Sequence, residues 1–125
     1  DRLRSRGLGD VYKRQPMLWL GGAIAEPKVI DTYANQTDLA ATLLNQMGLP
    51  TDEFSFSKDI LNPCVPHYAF YTFNNGFGFI DESGVSVYDN EGNKILVEEP
   101  ESGNETRLEK GKVLLQTLYD DLGNR

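Results

Sequence analysis

The residues of this chain best suited to chemistry are its one cysteine and one histidine, Cys64 and His67, in a segment that Pro63 and Pro66 interrupt. A lone imidazole lacks the converging groups that general acid catalysis needs, so His67 is predicted to be structural or exposed rather than catalytic or metal-binding. No basic neighbour would activate the Cys64 thiol, which favours inert packing. With one cysteine and one histidine, an internal disulfide and a Cys/His zinc site are both excluded.

Two further patterns suggest ligand-binding loops at first sight. Asp89–Asn93 carries the oxygen-bearing side chains of a calcium loop, but such a loop runs through about twelve residues between helices, whereas strand-like sequence flanks this one. Gly92 and its asparagine neighbours favour a hairpin turn instead. Gly21 and Gly22 lack the glycine spacing and the lysine of a phosphate-binding loop. From the sequence we therefore predict no catalytic and no metal-binding residue, and the substrate-binding residues are unknown.

Aromatic side chains are concentrated in one short stretch of the chain. They could stack on sugar rings, although such sets more often divide between a hydrophobic core and cross-strand pairs. Two interpretations stay open: the core of a small sheet, or a small acidic module whose aromatic hairpin binds a glycan or a cell-wall polymer. The residues concerned are Phe70, Tyr71, Phe73, Phe77 and Phe79.

Charge and hydropathy exclude several classes of partner. The chain has 12 Lys and Arg against 19 Asp and Glu, a formal net charge of −7. Such an acidic surface repels nucleic acid and anionic membranes, so neither is expected as a partner. No apolar run reaches the roughly 18 to 20 residues that span a bilayer, so no membrane contact is expected from this segment.

The elements that would position these residues begin with a continuous apolar run. Met17–Ile24 is predicted to be a buried strand, covered on both faces as in an α/β sheet. A helix is predicted over residues 37–47, with Thr37 or Asn35 capping its first amides and Asp38 placing negative charge at the positive end of its dipole. Residues at four-residue steps give this helix an apolar face. They are Leu39, Leu43 and Met47.

From residue 68 onward the pattern changes to short β-branched and aromatic segments separated by turn residues. This pattern predicts a small antiparallel meander. Leucines at alternating steps of three and four, with Gly111 allowing close approach, then predict a closing helix that packs on the meander. The predicted strands are Tyr68–Phe73, Gly78–Asp81, Val85–Tyr88 and Lys94–Val97, and the helix stripe comprises Leu108, Gly111, Leu115, Leu118 and Leu122.

Several motifs in this order resemble the late part of the sulfatase and alkaline-phosphatase superfamily. Pro16–Gly22 is similar to its "iPmlwlGG" strand, Gln36–Gly48 to its "s-Q-x-D-l-x-x-T-L-l-x-x-x-G" helix, and Ser57–Leu61 to its "S-K-d-i-L" segment. With the aromatic block Ala69–Gly78, the resemblance covers nearly everything from residue 16 to residue 125. Within the superfamily, the chain most resembles the lipoteichoic-acid-synthase-like sulfatases, also called phosphoglycerol transferases, of bacteria.

The resemblance implies the C-terminal part of a sulfatase-like α/β domain: a buried sheet strand plus a covering helix, then an antiparallel meander closed by a C-terminal helix. It implies an intact enzyme that attacks phosphate or sulfate esters with a Thr, Ser or Cys-derived nucleophile and a divalent metal, Mn, Mg, Ca or Zn. Those groups would lie upstream, so this portion is expected to be non-catalytic, to hold no cofactor, and to have the missing N-terminal part as its partner. The parent would be membrane-anchored, with this domain on the extracytoplasmic face of the bacterial membrane.

The start of the chain needs a separate interpretation. Ser5–Gln15 matches, residue for residue, the translation of a transposase-type sequencing adapter, so residues 1–15 are expected to be an artefactual or disordered tail. A natural basic arm is the alternative. The expected organisation is a tail at 1–15, the end of an α/β core at 16–62, and the antiparallel sheet with its helix at 63–125.

Overall fold

The computed structural model describes residues 15–22, 24–100 and 104–125. The chain divides into two compact units, 1–31 and 32–125, and each is described by itself. The helices and strands of the described residues all lie in the second unit. The tail expected at 1–15 lies outside the described residues except for Gln15.

The first unit does not form the strand expected over Met17–Ile24. Its described residues contain no helix or strand, and a turn forms instead, in which the Ile24 amide donates to the Gly21 carbonyl at 3.1 Å. Apart from the partly buried Trp19, the large apolar side chains described in the run are exposed, Leu18 by 78% and Leu20 by 83%. A strand of this kind needs ladder hydrogen bonds and cover on both faces, and the described residues of this unit provide neither.

Helix α1 spans Asp38–Gln46, within one residue of its predicted limits at each end. The chain turns away from the helix at Gly48, two residues after its last residue. The φ of Gly48 is +69°, which suits a residue without a Cβ. The Leu49 amide donates to the Leu44 carbonyl at 2.9 Å, and the Gly48 amide donates to the Asn45 carbonyl at 3.0 Å. These two bonds form a Schellman motif, which satisfies carbonyls that the end of a helix leaves without partners.

The buried face of α1 is polar, which differs from the apolar covering face expected from the sequence. Asp38, Ala41 and Thr42 are buried. The apolar side chains at four-residue steps are exposed instead, by 37% at Leu39, 45% at Leu43 and 62% at Met47. Periodicity identified the apolar face correctly, but within this unit the opposite face makes the tertiary contacts.

The predicted antiparallel meander is confirmed. Four strands pair with their sequence neighbours in the order β1–β2–β3–β4. The strands are β1 Tyr68–Phe73, β2 Gly76–Asp81, β3 Gly84–Asp89 and β4 Lys94–Glu99. The register places Phe70 opposite Phe79, and Phe77 opposite Tyr88. Residues directly opposite each other share a face of the sheet, so these aromatic rings meet on one side.

Helix α2, Asn104–Asn124, closes that side of the sheet. Phe77 is completely buried, with its ring centroid 5.9 Å from that of Phe70 and 5.8 Å from that of Tyr88. A Cβ added to Gly111 would lie 2.2 Å from the Phe77 ring, which confirms the predicted close approach of helix and sheet. The leucine stripe packs less well toward the end of α2, where Leu122 is 70% exposed.

Candidate functional site

A group of polar side chains joins the start of α1 to the segment that follows it. We call it the motif cluster; its members are Asn35, Asp38, Thr42, Ser57 and Lys58. The Asp38 carboxylate is 1% exposed and accepts from the Lys58 ammonium at 2.7 Å, from the Lys58 amide at 3.0 Å and from the Asn35 amide at 2.7 Å. These charge-assisted bonds compensate the cost of burying the carboxylate.

Two hydroxyl groups complete the motif cluster. Thr42 Oγ1 donates to a carbonyl one turn earlier in α1 at 2.6 Å and accepts from the Ile60 amide at 3.1 Å. Ser57 Oγ donates to the Thr37 carbonyl at 2.7 Å and accepts from the Ala41 amide at 2.8 Å. Ser57 therefore uses both its donor and its acceptor capacity to connect the second segment to the helix, whereas Thr42 makes this connection by accepting from Ile60.

The predicted helix cap is wrong because tertiary contacts take its place. Thr37 makes no side-chain hydrogen bond to the amides of α1. Asn35 Oδ1 accepts instead from the Phe70 amide, on the edge strand β1, at 2.8 Å. Asp38 lies in the first turn, as predicted for its favourable interaction with the helix dipole, and it also forms the buried ion pair.

The motif cluster extends to the sheet through an aromatic contact. The Lys58 ammonium lies 4.0 Å from the centroid of the Tyr68 ring, at the start of β1. Burial raises the pKa of the Tyr68 hydroxyl, and the charge of nearby Asp38 raises it further. The polar groups of the motif cluster bind one another, and its contacts with Phe70 and Tyr68 connect the start of α1 to strand β1.

The sequence did not predict the buried guanidinium of Arg107, on α2. This residue is 1% exposed and donates at 2.9 Å to the Ser86 hydroxyl, the Ser83 carbonyl and the Pro100 carbonyl, and at 2.8 Å to the Glu98 carboxylate. It therefore connects α2 to both β3 and β4. A charged residue just before a leucine stripe normally faces solvent, so the pattern gave no signal of this role.

Cys64 and His67 lie beside a groove of about 970 Å³ between the segment 63–67, the sheet and α2. Cys64 is exposed. His67 Nδ1 is buried and has no hydrogen-bond partner in the part of the chain that is described. An imidazole acting as general base is normally oriented by a carboxylate or carbonyl on this nitrogen. On the other wall of the groove, Lys110 is paired with Asp81 at 3.1 Å.

The other patterns singled out in the sequence have structural roles. Asp89 is the last residue of β3 and pairs with Lys94, and residues 90–93 connect β3 to β4, as the hairpin prediction required. Phe77 and Phe79 are buried in the core of the sheet. Within residues 15–22, 24–100 and 104–125, no three His, Cys, Asp or Glu side chains are close enough to hold a metal ion. The same residues contain no helix long and apolar enough to cross a membrane.

Comparisons with protein-family models, with curated proteins and with solved structures found no match. The described fold is a mixed α/β arrangement of one helix, a four-stranded antiparallel meander and a C-terminal helix.

Proposed function

We propose that this chain is the non-catalytic C-terminal portion of an extracytoplasmic sulfatase or phosphoglycerol transferase. The enzyme would act on phosphate or sulfate esters with a divalent metal. The observation that carries the proposal is the pairing of Asp38 with Lys58, at 2.7 Å and with side chains 1% and 10% exposed. These residues belong to two separate motifs, Gln36–Gly48 and Ser57–Leu61, on which the resemblance rests.

The two motifs supply a single set of contacts. The aspartate and threonine of the helix motif, Asp38 and Thr42, bind the serine and lysine segment through side-chain and backbone groups. A buried polar group without a partner costs free energy, and here each motif supplies the partners of the other. Two motifs that matched by chance would not be expected to do so. This mutual satisfaction supports the assignment of both motifs to one structural unit, as the proposal requires.

The exposed apolar side chains favour a larger body around this unit. The apolar face of α1 is exposed at Leu39, Leu43 and Met47, and Leu49 and Phe54 beyond it are each 44% exposed. An amphipathic helix normally turns its apolar stripe toward a core, and large exposed apolar patches mark interaction surfaces. In the proposal, the preceding α/β part of the enzyme packs on this face.

The missing part would also supply the chemistry. It would carry the nucleophile and the metal ligands, and the metal, Mn, Mg, Ca or Zn, would stabilise negative charge on the transferred group. The residues of this chain would support that site through the contacts of the motif cluster with β1. The parent would be membrane-anchored, with this domain on the extracytoplasmic face.

The alternative function, a glycan-binding module built on the aromatic hairpin, has less support. Phe77 and Phe79 are buried, and the rings of Phe70 and Tyr68 stack on them with centroids 5.9 and 5.3 Å apart. Ring faces engaged in this way do not present a platform to a sugar. The set is therefore better explained as sheet core.

Sequencing the genomic locus tests the proposal. We expect an open reading frame that is continuous with Pro16 and encodes transmembrane helices, a nucleophile and an Asp and His metal motif upstream. The intact protein should then hydrolyse or transfer a phosphate or sulfate ester in the presence of Mn²⁺ or Mg²⁺ and lose activity with a chelator. An initiation codon directly before residue 16, or turnover by the present chain, would contradict the proposal.

A further inference from the structure

We propose that a second groove, between the β3–β4 connection and α2, binds a neutral pyranose sugar. The groove has a volume of about 350 Å³, within the range of small-ligand sites. Leu115 is its aliphatic lining residue. The other lining side chains carry an amide, an ammonium or a phenol group: Tyr88, Asn90, Asn93, Lys112, Gln116 and Tyr119. This site is separate from the motif cluster and does not depend on the function proposed above.

The composition of the groove matches the chemistry of a pyranose. A pyranose presents hydroxyl groups around its rim, each both donor and acceptor, and C–H groups on its two faces. Asn90, Asn93 and Gln116 provide planar amides that pair with such hydroxyls. Tyr119 is 63% exposed, so its ring can pack against the C–H face of a sugar while its hydroxyl stays in water. All three amides are exposed, so sugar hydroxyls can take the place of water on them, whereas an aliphatic ligand would gain no hydrogen bond there.

Contacts within the groove fix part of its hydrogen-bonding pattern. The Tyr88 hydroxyl donates to Asn93 Oδ1, which orients the amide nitrogen of Asn93 as a donor for a ligand. Gln116 Nε2 donates to Asp120 at 2.7 Å, which assigns Oε1 as an acceptor. The Lys112 ammonium lies 4.4 Å from the Tyr88 ring centroid, where cation and ring hold each other in place. Donors and an acceptor are therefore set before a sugar binds, which lowers the entropic cost of binding.

The charge of the chain selects a neutral sugar over an acidic one. The net charge is −7, and Asp89, Glu91 and Asp120 adjoin the lining residues in sequence. This negative field opposes the approach of a carboxylated or phosphorylated sugar. Among the described residues, Lys112 is the one cation that lines the groove, and a single ammonium does not offset this field.

Titration of the full chain with sugars, followed by amide chemical shifts in NMR spectra, tests this inference. The probes are cellotriose and, as a charged match of equal length, trigalacturonate. We expect cellotriose to shift amides within residues 88–93 and 112–119, with a dissociation constant of about 1 to 10 mM, and trigalacturonate to bind more weakly. Absence of shifts with cellotriose, shifts confined to other residues, or tighter binding of trigalacturonate would each overturn the proposal.

Substitutions of residues that line the groove provide a second test of the inference. Tyr119→Ala and Gln116→Ala should each weaken cellotriose binding by about tenfold, since one removes the packing ring and the other the oriented acceptor. Tyr33→Ala is the matched control, because Tyr33 is also exposed, by 45%, and does not line the groove. Equal affinity in the Tyr119 and Tyr33 variants would overturn the assignment of the site.

Discussion

Lys58 and Lys110 each pair with an aspartate, but at very different exposure. Lys58 is 10% exposed beside Asp38 at 1%, whereas Lys110 is 54% exposed beside Asp81 at 12%. We expect Lys58→Met to lower the free energy of unfolding by about 3 kcal/mol, because it leaves a buried carboxylate without its counter-ion. Lys110→Met should cost less than about 1 kcal/mol, since solvent screens that pair. Urea unfolding of both variants measures the difference, and equal losses would contradict the structural role of the motif cluster.

Asp81 gives the chain a pH-dependent contribution to stability. Burial raises its pKa, but hydrogen bonds from Ser83 and Lys110 outweigh this effect and lower the pKa below the ordinary value of 3.8. A carboxyl group with a depressed folded-state pKa stabilises the fold above its unfolded-state pKa, and this contribution disappears as the pH falls through the folded-state value. Asp81→Asn should therefore reduce stability at neutral pH and flatten its dependence on pH below 3.8. Thermal unfolding at pH values from neutral to below 3.8 provides the measurement, with Glu82→Gln as the control. If Asp81→Asn leaves the loss of stability at acid pH unchanged, the assignment to Asp81 is contradicted.

At the scale of elements, the contact between α2 and the sheet depends on a glycine. A Cβ at Gly111 would lie 2.2 Å from the ring of the fully buried Phe77, whereas one at Gly123 in the same helix meets nothing within 4 Å. We expect Gly111→Ala to destabilise the fold by about 1 to 3 kcal/mol, because helix or ring must move. Gly123→Ala should be neutral or stabilising by up to about 1 kcal/mol, since alanine favours helix. Stabilisation by both substitutions would show that α2 does not pack closely on β2.

The elements also show which parts of the fold can be predicted from sequence patterns and which cannot. The meander could be predicted because its turns and alternating segments are local signals, and β1 matches its predicted range, Tyr68–Phe73. The strand at Met17–Ile24 could not be judged locally, since an apolar run becomes a strand only when other elements pair with it and cover it. The same limit applies to Asp38, whose position at the helix start was visible but whose partner, Lys58, lies 20 residues away.

At the scale of the whole molecule, the exposed apolar face of α1 is a feature that the chain's own described contacts do not explain. The polar side of this helix already makes its tertiary bonds through Asp38 and Thr42. The apolar side chains therefore do not serve to attach α1 to the sheet of this unit. In the proposed enzyme, the apolar side chains of α1 would contact the preceding α/β part.

The different roles of the polar and the apolar side of α1 can be tested by substituting polar residues on one side at a time. Leu43 and Met47 are 45% and 62% exposed, so Leu43→Gln combined with Met47→Gln should change the stability of the present chain by less than about 0.5 kcal/mol and reduce its binding of a hydrophobic dye. Ala41→Gln is the control, since Ala41 is 3% exposed and a larger polar side chain there should destabilise by about 1 to 3 kcal/mol. If the proposed larger enzyme covers this face, the double substitution should be destabilising in that enzyme. Strong destabilisation of the present chain by the double substitution would mean that the chain covers this face itself, and the case for a larger body would lose its support.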